Sequence, residues 1–300
     1  MIISVIYSVL VWLLMRNNKG VALPGSTSGY FSTVVSLLLV FRTNTAYDRF
    51  WEGRKLYSNI ERSITEAIRV FHVAIPTKTE HDVKDKIQAM KNAVAMSYSI
   101  KYYLLARPNY LNKRMAELLP PRLKILYDDS ACEHSIDEKI PPASDFEMRH
   151  RGIFTNDSFN LPIALSFEIT NYLQSIDKSE ISPVLFVVLF NLVSSIMDAF
   201  VGCIRIQTTP VPFAYSSHLH LVCAVYLMYI PFTLNGYHIA VITVIQLITT
   251  FMLLGILSIA EEIENPFGCD KNDLPISNYC DNLYDQLMYI LETHPPQIFP

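Results

Sequence analysis

The chain has little charge for its length, and over one stretch none. Of its 300 residues 17% are charged and 51% hydrophobic, an apolar excess over an ordinary soluble domain. Residues 29–41 hold no Asp, Glu, Lys, Arg or His, and no proline falls between Pro24 and Pro76, so nothing in that interval forces a helix to stop. The five cysteines, at 132, 203, 223, 269 and 280, form no CxxC pair and their number is odd, which speaks for a reduced, intracellular setting over a disulfide framework. No GxSxG, HExxH, P-loop or GxGxxG motif occurs, so the sequence offers no sign of an enzyme. A net charge of −4 argues against nucleic acid as a partner. Residues 1–15 are apolar but lack the basic flank and small-residue cleavage site of a signal peptide.

What is present is apolar and clustered, at 1–15, 30–41, 181–206 and 219–259. Residues 30–57 organise the rest, because an uncharged run passes without a break into one carrying Arg42, Asp48, Arg49, Glu52, Arg54 and Lys55. One helix of about 45 residues would measure roughly 70 Å, whereas a bilayer's hydrocarbon core is about 30 Å thick. The stretch therefore reads as a membrane helix that continues into a soluble domain. Arg42, Arg49, Arg54, Lys55 and Arg62 lie beyond its apolar part, against Arg16 and Lys19 on the other side. The bias toward basic residues inside places the extension in the cytoplasm and, with four spans, both termini as well.

In chain order, residues 16–29 have loop composition, and Thr79 with Asp82 caps a soluble helix over 79–107. A short helix over 111–126 stops or bends near Pro120 and Pro121, residues 127–150 read as a loop, and Asn156 opens a sequon that stays unmodified in a cytoplasmic segment. Residues 159–176 form an amphipathic helix. Residues 183–200 have the hydropathy of a span, weakened by Asn191 and Asp198, and a helix apolar on all sides can equally be a buried one. Spans follow at 212–234 and 239–260, joined by a tight turn. The acidic tail then ends in a helix whose face is marked by Ile276, Cys280, Leu283, Leu287 and Leu291.

Three separated motifs resemble one family: FRTNTAYDRFWEGRK at 41–55, IRIQTTPVPFAY at 204–215 and AEEIENPFGCDKNDLP at 260–275. Their content, order and spacing are similar to those of bestrophins, in the form of fungal and bacterial members, which are pentameric anion channels with some cation-passing bacterial relatives. The resemblance covers nearly the whole chain. It implies that residues 183–200 are a cytoplasmic helix, and that the first membrane helix starts late here or the chain begins inside it.

Thr33, Leu37 and Phe41, spaced i, i+4, i+8, share a helix face. The resemblance puts them at the pore's neck, where a narrow apolar ring blocks ions by dewetting and the positive edge of Phe41 favours an anion. Packing on neighbouring helices would use the same spacing. By the same resemblance Val184 falls near a second, cytoplasmic constriction, with core packing as the other reading, and Arg42 beside the neck could attract anions. Glu262, Asn265, Asp270 and Asp273 match positions where animal bestrophins hold calcium, and oxygen ligands suit that ion. Cys269, Lys271 and Asn272 interrupt the acidic run, however, and favour a structural linker of turns. His218 and His220 are not on a single helix face, which speaks against a metal site.

The expectation is an all-α, multi-pass membrane protein with four transmembrane helices and a large helical cytoplasmic domain, assembled as a homopentamer. Its parts are residues 1–41 with spans one and two, 42–210 as the cytoplasmic helical region, 211–260 with spans three and four, and 261–300 as a cytoplasmic tail. The expected function is passive conduction of chloride and similar anions in the plasma membrane or an internal one, with calcium as the candidate metal. The alternatives are a non-conducting membrane scaffold or regulatory subunit and a cation-selective member of the family.

Overall fold

The structure, a computed structural model, describes residues 2–17, 23–107, 110–124, 160–177 and 181–298. The loop expected at 127–150, Asn156 and Cys132 lie outside them. Among the described residues the elements are helices and there is no strand: α1 (Ile2–Asn17), α2 (Thr27–Ala74), α3 (Glu80–Leu104), α4 (Lys113–Leu118), α5 (Pro121–Lys124), α6 (Leu161–Ser175), α7 (Pro183–Thr208), α8 (Phe213–Thr233), α9 (Ile239–Ile263) and α10 (Ile276–Thr293). The proline-free interval does become one helix. The 48 residues of α2 span about 72 Å at 1.5 Å per residue.

The chain folds into two compact units, one of residues 1–51 and 210–265, the other of 52–209 and 266–300. In the first, one face of α2 is buried at Val35 and Leu39 against Leu219 and Cys223 of α8 and Leu257 of α9. A second cluster joins Val11 and Met15 of α1 to Ile242 of α9. Polar groups here are matched across helices. Pro231 lies inside α8 and has no N–H to give the carbonyl four residues back, that of Leu227. The buried Gln246 of α9 donates its Nε2–H to that carbonyl at 3.0 Å. A freed backbone acceptor in an apolar setting is thus answered by the adjacent helix.

In the second unit α3 is the central helix, buried along its whole second half and packed on α6, α7 and α10. Its start shows the expected capping box, with Thr79 accepting from the Asp82 N–H and Asp82 accepting from the Thr79 N–H. Within this unit the charged extension of α2 packs on α7. Asn59 donates to Ser195 Oγ at 3.1 Å, Ser63 donates to the same oxygen at 3.3 Å, and Glu52 pairs with Arg205. Gly202 lets the helices approach, since a Cβ there would lie 2.8 Å from Leu56 Cδ2. The tail helix α10 buries Ile276, Cys280, Leu283 and Leu287, four of the five residues expected on its face.

Three helices among the described residues are long and apolar enough to cross a membrane: α7, α8 and α9. Helix α1 is apolar but shorter, and α2 carries its apolar stretch only in its first half. Helix α9 runs to Ile263, three residues past the expected end of the fourth span.

Candidate functional site

Helix α2 divides its first half cleanly. The side facing the rest of its own unit, at Val35, Leu39, Arg42 and Ala46, advances by alternating steps of four and three and is almost fully buried. Thr33, Leu37 and Phe41 lie together on the other side, with Leu37 53% and Phe41 55% exposed. Large apolar side chains left bare on a helix await another surface or line an opening. Thr33 adds less polarity than its type suggests, because its hydroxyl donates back to the Gly29 carbonyl at 2.9 Å. Tyr47 and Trp51 continue the exposed side at 57% and 48%.

The structure separates Arg42 from this face. Arg42 is 1% exposed, turned into the first unit, and its Nη2 meets Glu264 Oε2 at 2.5 Å. The other carboxylate oxygen of Glu264 accepts the Val211 N–H at 2.8 Å, and the Glu264 carbonyl accepts from Arg49 Nε at 3.2 Å. Two arginines of α2, the end of α9 and the segment before α8 therefore meet on one residue. Sequence reasoning singled out Arg42 and Arg49 but passed over Glu264. The available signal was an acid between Ile263 and Asn265 at the end of an apolar helix, set apart by Ile263 from the exposed pair Glu261 and Glu262, where a half-buried carboxylate favours a cation.

Val184 stands in the first turn of α7 in the second unit and is 72% exposed, with Val187 and Val188 also exposed after it. Of the acidic block, Glu262 and Asn265 close the first unit and Asp270 and Asp273 belong to the second. Asp273 Oδ2 accepts the Asp270 N–H at 2.7 Å, the Asp273 N–H reaches the Asp270 carbonyl at 3.1 Å, and the Leu274 N–H reaches the Pro266 carbonyl at 3.1 Å. These bonds build a turn from the block's own oxygens. Among the described residues no cluster of three or more His, Cys, Asp or Glu side chains is placed to hold a metal. Calcium is expected to leave the melting temperature unchanged, since only a ligand that prefers the folded state raises it. A rise that Asp270→Ala abolishes would instead assign the block to calcium.

The block is braced from below. Phe267 is 0% exposed, and a Cβ on Gly53 would lie 2.8 Å from Pro266 Cγ and 3.1 Å from Phe267 Cζ. Next to Gly53, Arg54 lies over the Tyr279 ring at 4.4 Å and donates to Glu61 at 3.0 Å. Tyr57 is wholly buried with its hydroxyl 3.2 Å from Cys280 Sγ, and burial pushes that thiol up to about 11. Cys280 is therefore a packed thiol held neutral. The described cysteines 203, 223, 269 and 280 are all free.

A long helix with an apolar half bare on one side, joined in one unit to apolar helices of membrane-crossing length, defines an all-helical protein of membrane-embedded character. The comparisons make this specific. The profile of the Bacterial/Fungal Bestrophin protein family matches residues 1–288, and the chain belongs to that family. It is 34% identical over 266 residues to a voltage-dependent anion channel-forming protein of Synechocystis sp., covering 88% of this chain and 76% of the relative. A protein of the same description from Nostoc sp. is 30% identical over 282 residues, covering 93% and 81%. The fold is that of a bacterial bestrophin homologue from Klebsiella pneumoniae, with a TM-score of 0.76 at 22% identity over 98% of each chain.

Proposed function

We propose that the protein is a homopentameric channel that passes chloride and similar small anions passively, through an axis lined by the first half of α2. The observation that carries this reading is the bare side of α2. The helix uses Val35, Leu39 and Arg42 within its own protomer and leaves Leu37 and Phe41 without a partner there. Five such sides around an axis form a narrow ring of Thr33, Leu37 and Phe41 that resists hydration, with phenyl edges favouring an anion. The Synechocystis and Nostoc relatives are named as anion channel-forming proteins, which supports the same assignment.

In this reading α1, the first half of α2, α8 and α9 are the four spans, and both termini are cytoplasmic. Helix α7 is the second unit's own helix despite its hydropathy. Its Leu189, Val193, Ile196 and Phe200 are buried there, and it shares hydrogen bonds with the charged part of α2. Val184 at its start lines a second constriction. Chemistry plays no part, and the turn at 266–274 is a brace that works without calcium. Light scattering in detergent, corrected for bound detergent, is expected to give five times the protomer mass. A monomer or dimer would overturn the shared axis.

A further inference from the structure

We infer that Glu264 sets the charge and the position of the pore helix at the neck, by neutralising Arg42 and anchoring it. This rests on the reading of Leu37 and Phe41 as the neck.

Arg42 follows Phe41 directly and is fully buried, so its guanidinium acts through protein more than through water. Its Nη2 is paired with Glu264 at 2.5 Å, while Nε and Nη1 are buried with no hydrogen-bond partner among the described residues. Among the described residues, Glu264 is thus the acid that the structure sets on this cation. A buried charge left with part of its donors unmet depends heavily on the partner it has. Glu264 is also tied to a second element, since its Oε1 holds the Val211 N–H ahead of α8. Its carbonyl holds Arg49, two turns along α2 from Arg42, which is a second tie to the same helix. The carboxylate therefore cannot follow Arg42 if α2 turns. Rotation of α2 about its axis would break the pair, so the pair holds Thr33, Leu37 and Phe41 in their orientation. Around a pentamer the pairs form a ring of positive charge lying against a ring of negative charge, with little net field at the neck. Removing one partner leaves a ring of one sign, the arrangement by which charged rings select ions.

The test is a charge cycle in the full chain, reconstituted in liposomes, with the chloride-to-potassium permeability ratio read from reversal potentials in a salt gradient. Glu264→Gln keeps one acceptor oxygen, able to serve the Val211 N–H, and leaves Arg42 unneutralised. It should raise the ratio by about threefold or more at low salt and lose that gain near 1 M, where the screening length is about 3 Å. Arg42→Gln should lower the ratio to a similar degree. The double variant Arg42→Gln with Glu264→Gln, neutral on both sides, should return it to the starting value. Melting temperature is followed in parallel. A pair that serves only to hold the fold would destabilise both single variants and move the ratio in neither, or move it in one direction for both. Either result would overturn the inference. If a single variant does not assemble, the other single and the double still decide the sign. Absence of current from the unaltered protein would fall on the channel reading and not on the pair.

Discussion

Replacing Leu37 and Phe41 together by Ala is expected to raise ion flux while the pentamer persists. Both side chains are more than half exposed in the protomer, so their removal takes nothing from the cluster of Val35, Leu39, Leu219, Cys223 and Leu257. Truncation widens the ring and lets water occupy it, which removes the dewetting barrier. A barrier lowered by about 1.4 kcal/mol corresponds to a tenfold rise in passage, a reasonable scale for losing two apolar rings. The measurement is conductance and open probability in planar bilayers beside the unaltered protein. Val35→Ala is the counterpart on the packed face. It should lower stability through a cavity and leave conductance alone, with a cost of about 1–3 kcal/mol. If the exposed-face variant assembles with unchanged conductance and open probability, α2 does not line the pore.

The second large effect is structural and concerns two of the family's motifs at once. Gly53 sits in the WEGR segment of α2, and Pro266 with Phe267 forms the NPF segment after α9. A side chain at Gly53 would enter space held by a proline ring and a wholly buried phenyl ring, at 2.8 and 3.1 Å from a Cβ. Neither ring can swing aside as a leucine tip can. Gly53→Val is therefore expected to cost about 3 kcal/mol, the upper end for overpacking a filled core. Gly255 in α9 provides the control, because nothing lies within 4 Å of a Cβ there. Gly255→Ala should be neutral or gain up to about 1 kcal/mol from helix propensity. Denaturation midpoints in detergent read both. A Gly53→Val protein as stable as the original would mean that the NPF segment does not rest on α2.

Sequence and structure agree most where a single physical constraint is strong. The missing prolines after Pro24 foretold one helix through the apolar and charged halves of α2, and that helix is present. The Thr79 and Asp82 pair foretold the start of α3 because a capping box is a purely local arrangement. Helix α7 was ambiguous for a good reason. Its hydropathy is that of a span, and the hydrogen bonds from Asn59 and Ser63 to its Ser195 are tertiary contacts that hydropathy does not carry. The site divides in the same way. Spacing placed Thr33, Leu37 and Phe41 on one face, since helical periodicity alone decides that. Periodicity could not say that Arg42, one residue on, turns inward. Nor could it pair Arg42 with Glu264, 222 residues away, because that contact exists only once α2 and the end of α9 are packed. In the acidic block residue types suggest ligands, and the structure adds that one of those side chains, Asp273, accepts the Asp270 N–H within a turn.

Anion-selective conduction is read directly from the reversal potential of purified protein in a planar bilayer under a potassium chloride gradient. Current is expected to reverse near the chloride equilibrium potential, from a particle shown to be pentameric. An intact pentamer that carries no current, or one whose current reverses near the potassium potential, would contradict it.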